Sequence, residues 1–252
     1  MQPVPQVRLC QLEESQTSNG NTKYRDTFLE VCILTPHDLL DKTIEHFYMI
    51  SKTSYPLESI RGTLPDWAIK QYIKEGRIKI KNLSPNWEKD VDQVSIDFHL
   101  GHRILMPIMG RHVVIDIRKG VNSSMYEEIF LKAGEPFTIR PGQFFITETM
   151  EVLTLPNDII GRLEGKSSFA RLGVVVHQTS ARFDPGWEGP AVLELKNNSD
   201  NDVVIYCGDK ICAFAFERLS TPVENLYHRT TPRYHSNKVL HSMIHKDNNK
   251  KK

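Results

Sequence analysis

Residues 161–197 of this 252-residue chain concentrate side chains able to do chemistry. The segment, GRLEGKSSFARLGVVVHQTSARFDPGWEGPAVLELKN, sets small, polar and charged residues among apolar ones. Gly165-Lys166-Ser167-Ser168 joins a cation, two hydroxyls and a permissive backbone, which suits phosphate oxygens. Arg171 follows Ser167 by four positions, so a helical turn would put both on one face. Taken alone, the tetrapeptide fits a short capped helix with a surface ion pair at Arg171 better. Asp184-Pro185-Gly186-Trp187 is a turn ending in an aromatic, and by itself could simply close a hairpin. Glu194 is the one ionisable group in the apolar strand Ala191-Val192-Leu193-Glu194-Leu195. Facing inward, its carboxylate is costly unless paired or used. Facing outward it is an ordinary solvated side chain, and the local pattern leaves both orientations open. His177, at a strand end, reads as a satisfied structural histidine rather than a ligand.

The elements that must position these residues are mostly short strands. Runs rich in Val, Ile, Phe and Thr recur at Ile78–Ile80, Val94–Leu100, Val113–Ile117, Phe144–Thr147, Val174–His177, Ala191–Leu195, Val203–Tyr206 and Ile211–Phe216. Turn signals such as Arg140-Pro141-Gly142 and Asn197-Asn198-Ser199-Asp200 separate them, which predicts a sandwich, jelly roll or barrel. A helix is expected from Pro65-Asp66, with Ile69, Tyr72 and Ile73 on one face and Gly76 ending it. Residues 1–27 are polar and read as a flexible lead-in. Phe28–Leu34 then fits a strand, and Thr35-Pro36-His37-Asp38 starts a helix striped by Leu40, Ile44 and Phe47. The chain thus divides into an α/β extension over 1–60 and a β-rich domain over 61–252.

Acids and bases nearly balance, giving a net charge of +1. That argues against binding nucleic acid or an anionic membrane, because such binders carry a basic excess. The terminal Lys250-Lys251-Lys252 reads as a solvated tail. No apolar run reaches bilayer length, and no leader pattern precedes the domain. Four cysteines without a CxxC pair make a disulfide framework or structural zinc improbable. The expected location is the cytoplasm.

Taken together, the motifs resemble the signature of dCTP deaminases of the dUTPase-like superfamily. Glu164-Gly165-Lys166-Ser167-Ser168-Phe169-Ala170-Arg171-Leu172-Gly173 is followed by His177-Gln178-Thr179-Ser180, Asp184-Pro185-Gly186-Trp187 and Leu193-Glu194, in the family's order and spacing. Upstream, Asp97-Phe98-His99-Leu100-Gly101 matches its D-x-x-L-G element. The resemblance implies a distorted β-barrel or jelly-roll of the dUTPase-like type with a few short helices, assembled as a homotrimer with shared active sites. It implies hydrolysis of dCTP to dUTP and ammonia without zinc, with magnesium carried on the triphosphate.

By the same resemblance Glu194 is the general base, with Ser167, Arg171 and Ser180 at the reacting carbon. Lys166, Ser168 and Arg171 match triphosphate positions, with Phe169 and Ala170 between them. Asp184 matches the reader of the 3′-hydroxyl, Trp187 closes the sugar side, the Val192-Leu193-Glu194 strand reads the base edge, and Thr179 and Arg182 are further substrate-binding positions. Tyr227, Arg233, Tyr234 and Asn237 fall where a tail, from about residue 227, folds over the nucleotide, and dTTP is a candidate inhibitor. Departures are Ser180 for Ala, Arg233 for Lys, Asn237 for Gln, and Cys207-Gly208-Asp209 for a Pro-Gly-Met turn.

Other functions fit less well. A zinc deaminase needs H-x-E or C-x-E with P-C-x-x-C, and the chain has neither. A dUTPase would carry a glycine-rich arm, whereas no glycine follows Leu219. A bifunctional deaminase–diphosphatase releasing dUMP ranks second, and a non-catalytic nucleotide-sensing module third.

Overall fold

The computed structural model describes residues 10–16, 22–28, 57–108, 114–227, 240 and 242. By internal contacts the chain separates into two units, Met1–Pro56 and Leu57–Lys252. In the first, β1 (Cys10–Gln16) and β2 (Thr22–Phe28) form an antiparallel pair in register from Cys10↔Phe28 to Gln16↔Thr22. This corrects the expectation of a flexible lead-in. Polar composition does not forbid a ladder whose hydrogen bonds come from the main chain, and Thr22, Tyr24, Thr27 and Phe28 all favour strands. The strand and helix expected over 29–47 lie outside the described residues.

The second unit is mostly β. It begins with a 3-10 turn at Leu57–Ser59 and β3 (Gly62–Thr63). α1 (Asp66–Lys74) starts after an extended Pro65, carries Asp66 in its first turn, and buries Ala68, Ile69 and Tyr72. It stops where Gly76 takes φ +69°, as the sequence predicts. Eleven strands follow: β4 (Lys79–Lys81), β5 (Ser95–Pro107), β6 (Tyr126–Phe130), β7 (Pro136–Ile139), β8 (Phe144–Thr154), β9 (Ile159–Gly165), β10 (Val174–Val175), β11 (Arg182–Phe183), β12 (Glu188–Asn197), β13 (Val203–Tyr206) and β14 (Lys210–Arg218). The one-turn helix α2 (Ser167–Ala170) interrupts them.

Ten strands form one sheet along the path β10-β12-β8-β5-β14-β9-β11, with β3 on β14, β4 on β8 and β6 on β5; β13 and β7 form a second. The long strand β5 links two parts of the main sheet. Its first half pairs with β14, as in Ile96↔Phe214, and its second half pairs with β8 and β6. The ladder shifts register between Leu100 and Ile104. Gly101 sits at that shift, where a Cβ would stand 2.5 Å from the Glu148 carbonyl oxygen. No other residue allows β5 so close to β8.

The core is built by alternation along these strands. On β12, Ala191, Leu193 and Leu195 are fully buried, and the intervening residues face the other way. Phe98, Phe214, Phe183 and Trp187 continue the core as ring contacts at 4.7–4.9 Å.

Two strand expectations are corrected. Residues 114–117 are not a strand: Val114 is 94% exposed, and the chain turns as Lys119 and Gly120 donate to the Asp116 carbonyl. The strand expected over Val174–His177 ends at Val175, because the chain then bends and carries Gln178 to Glu194.

Candidate active site

Glu194 is placed by the alternation of β12. Its neighbours Leu193 and Leu195 point into the core at 0% exposure, so Glu194 emerges on the opposite face, across from Ile146 of β8. There it is half-buried. The Gln178 backbone N–H donates to its Oε2 at 3.3 Å, and the Gln178 side-chain amide donates to the Glu194 carbonyl at 3.2 Å. Burial pushes the carboxyl above the usual carboxylate range, while the Gln178 N–H and the charge of His177 hold it back. The two orientations left open by sequence are thus resolved: the carboxylate is neither in the core nor fully solvated. His177 is not the satisfied structural residue expected, since its Nδ1 is buried with no hydrogen-bond partner among the described residues.

The face bearing Glu194 is the floor of a cleft of about 750 Å³. Thr179, Ser180, Arg182 and Asp184 line one side, with Trp187, Val192 and Tyr227 completing the expected residues found there. Arg182 Nε donates to Asp184 Oδ1 at 2.7 Å. Trp187 is 7% exposed, donates Nε1–H to the Gly189 carbonyl at 3.2 Å, and meets the Tyr227 ring at 5.2 Å.

Gly186 makes that meeting possible. It adopts φ +83°, and a Cβ on it would lie 2.8 Å from the Leu226 Cβ. The Tyr227 N–H can therefore donate to the Pro185 carbonyl at 2.9 Å. The turn read from Asp184-Pro185-Gly186-Trp187 thus serves as a docking point for the chain 40 residues later; it is not a hairpin corner, since β11 pairs with β9 and β12 with β8 and β10.

The rest of the cleft was not legible in the sequence. Tyr126, Phe144, Ile146, Leu240 and Ser242 also line it. Leu240, 4% exposed, packs against Leu105 and Ile146, with Tyr126, Phe144 and Val192 around them. This apolar wall lies directly beside the carboxylate, and its apolar surroundings favour the neutral acid.

Ser167, Ser168 and Arg171 lie elsewhere on the subunit. The Arg171 N–H donates to the Ser167 carbonyl at 3.0 Å, giving the expected single turn, and all three residues are exposed. No side chain caps this turn. With Ala170, Arg171 borders a second cleft formed with Asn198, Ser199, Asp202 and Val204. Lys166 folds back onto Asp97, and Phe169 packs partly buried against the main core. Leu193 is buried on the core side of β12, so only its backbone is available to a ligand. Arg233, Tyr234 and Asn237 lie outside the described residues.

Among the described residues no group of three or more His, Cys, Asp or Glu is arranged to hold a metal ion. No helix among them is long and apolar enough to cross a membrane.

The whole region from β3 to the end of β14 has relatives. Residues 63–219 match the family model described as dCTP deaminase-like. The chain is 42% identical over 161 residues to a protein of Thermomicrobium roseum named dCTP deaminase, covering 63% of this chain and 81% of that one. It is 35% identical over 176 residues to a Dictyoglomus thermophilum protein named dCTP deaminase, dUMP-forming, covering 69% and 90%. A crystal structure of 2′-deoxycytidine 5′-triphosphate deaminase from Agrobacterium tumefaciens aligns with TM-score 0.49 and 22% identity, over 63% of this chain and 48% of that one. With a family model matched across more than half its length, the chain belongs to the dCTP deaminase-like family.

Proposed function

We propose that the protein hydrolyses the 4-amino group of dCTP, giving dUTP and ammonia. The single observation that carries this reading is the half-buried Glu194 carboxyl, held above its usual range in the wall of a nucleotide-sized cleft. A carboxylate tuned toward neutrality can take a proton and return it, which is what deamination requires.

Glu194 removes a proton from water as its oxygen bonds to C4. The C4–N3 π pair moves to N3, which takes that proton from Glu194. The tetrahedral centre then collapses: Glu194 carries the proton of the new hydroxyl to the amino nitrogen, the C–N bond breaks, ammonia leaves and C4 becomes a carbonyl. Ser180 borders C4, Val192 and the backbone of Leu193 border the base, and Asp184 reads the 3′-hydroxyl beside Trp187. Thr179, Arg182 and Tyr227 close the sugar side.

Ser167 and Arg171 must also reach the reacting carbon, yet in one subunit neither lines the Glu194 cleft, and Arg171 borders a different one. Their separation from Glu194 supports an assembly, expected to be a homotrimer, in which one copy supplies Glu194 and a neighbour supplies Ser167 and Arg171. Lys166, Ser168 and Arg171 of that neighbour would hold the triphosphate. Magnesium would enter on the phosphates as part of the substrate. Arg233, Tyr234 and Asn237 are proposed to close over the phosphates, and dTTP to compete for the site.

A second reading, release of dUMP and pyrophosphate, is favoured by the Dictyoglomus relative that this chain covers over 90% of its length. Incubating the protein with dCTP and magnesium and assaying ammonia, dUTP and pyrophosphate separates the two. Ammonia equimolar with dUTP and no pyrophosphate is expected. Stoichiometric pyrophosphate establishes the second reading, and no ammonia overturns both.

A further inference from the structure

At the start of α2 lies a run of alternating charges of which the reaction above uses only Lys166. Asp97, on β5, is 5% exposed. One of its oxygens pairs with Lys166 Nζ, and the other accepts from Lys210 Nζ at 3.1 Å. Lys210, on β14, also meets Asp90 at 2.8 Å, and these carboxylates hold its ammonium firmly charged. The partners come together because Ala213 of β14 pairs with Asp97 on one side and with Glu164 of β9 on the other. Lys166, two residues beyond Glu164, can therefore reach back across β14 to Asp97.

We propose that Asp97 is a positioning residue for nucleotide binding, fixing the Lys166 ammonium where it meets the triphosphate. The proposal rests on the reading that Lys166 binds phosphate. An ammonium has three donors, so the contact with Asp97 leaves two for phosphate oxygens. A free lysine stem would lose its rotamer freedom on binding nucleotide; one already tethered has lost it beforehand. Lys210 holds the second oxygen of Asp97 in place, and Asp90 keeps Lys210 there.

The sign of one substitution separates positioning from simple charge. Two lysines and two aspartates balance here, so Asp97→Asn leaves a net positive charge near the phosphates. By Coulomb attraction alone that lowers KM for dCTP. Loss of positioning raises it, and we expect a rise of about tenfold, the scale of one charge-assisted hydrogen bond, with kcat within twofold.

The test measures kcat and KM for Asp97→Asn, Lys166→Ala and the double variant, with melting curves to verify folding. Positioning requires that Asp97→Asn have no further effect on KM once Lys166 is gone. If Lys166→Ala raises KM while Asp97→Asn leaves it unchanged or lowers it, positioning is overturned and the phosphate role of Lys166 stands. If Lys166→Ala leaves KM unchanged, that role fails and the proposal with it. Should Asp97→Asn not fold, Lys210→Met takes its place in the cycle. A rise of about threefold that depends on Lys166 supports the proposal, and no change overturns it.

Discussion

Two surfaces of one subunit carry the residues expected to do chemistry, and they are built in opposite ways. Glu194 sits on a ten-residue strand packed between β8 and β10, walled by Ile146, Val192 and Leu240. Ser167 and Arg171 sit on a single exposed turn. The first surface shapes the acidity of a group by burial. The second offers uncommitted donors on a short element and shapes nothing by itself. Tuning a carboxylate needs a rigid, partly dry wall, whereas binding phosphates needs accessible donors, and within one copy this fold keeps the two apart.

The largest expected effect falls on the first surface. Glu194→Gln should lower kcat by about a thousandfold, within the range for general-base removal, read as ammonia release. The same variant should raise Tm by about a few degrees near neutral pH. A carboxyl whose folded value lies above its unfolded one loses stability as pH rises through that window, and glutamine has nothing to ionise. Equal Tm values at pH 7 would show that burial does not strain the carboxylate.

Next in size is a test of the separation itself. Arg171→Ala should also lower kcat, by about a hundredfold. Mixing Arg171→Ala subunits with Glu194→Gln subunits, then unfolding and refolding them together, should regenerate sites with both groups intact. If activity stays at the level of the separate variants, both groups act within one subunit and the comparison collapses.

A stability effect comes third. Gly101→Ala must displace the Glu148 carbonyl and should cost about 1–3 kcal/mol, a Tm lower by several degrees. An unchanged Tm would mean that β5 and β8 need not lie so close. The smallest effect concerns acidity. The acid limb of kcat/KM should fall as pH drops through a midpoint above the usual range for glutamate, following the raised Glu194 carboxyl. A midpoint at or below that range would remove Glu194 as the titrating base.

Legibility in the sequence followed how local the cause was. α1 was readable because Pro65-Asp66, the Ile69–Tyr72 face and Gly76 each act within a few residues. β12 was readable from its alternation, though alternation alone could not say which face Glu194 took. That depended on Leu240 and β8 covering one side. β6 was missed because Tyr126–Phe130, with Glu127 and Glu128 exposed, shows no buried face of its own. β9 was missed because its core residues Ile159 and Leu163 merge with the motif that follows. Tyr126, Phe144 and Ile146 carry no chemical signature, and only strand pairing brings them to Glu194. The partition of Ser167 and Arg171 from Glu194 has no trace in spacing, since 23 positions separate Arg171 from Glu194 along the chain whatever the fold does.

The double pairing of β5 also bears on how the domain comes into being. β14 is the last strand described, yet it lies inside the sheet path, between β5 and β9. During synthesis β5 emerges early and must wait, one edge unpaired, until more than a hundred further residues have been made. Contacts of such long sequence separation form slowly, and an open edge invites pairing with the wrong chain. A ribosome stalled before Lys210 would therefore release a chain with neither a continuous sheet nor a seat for Lys166.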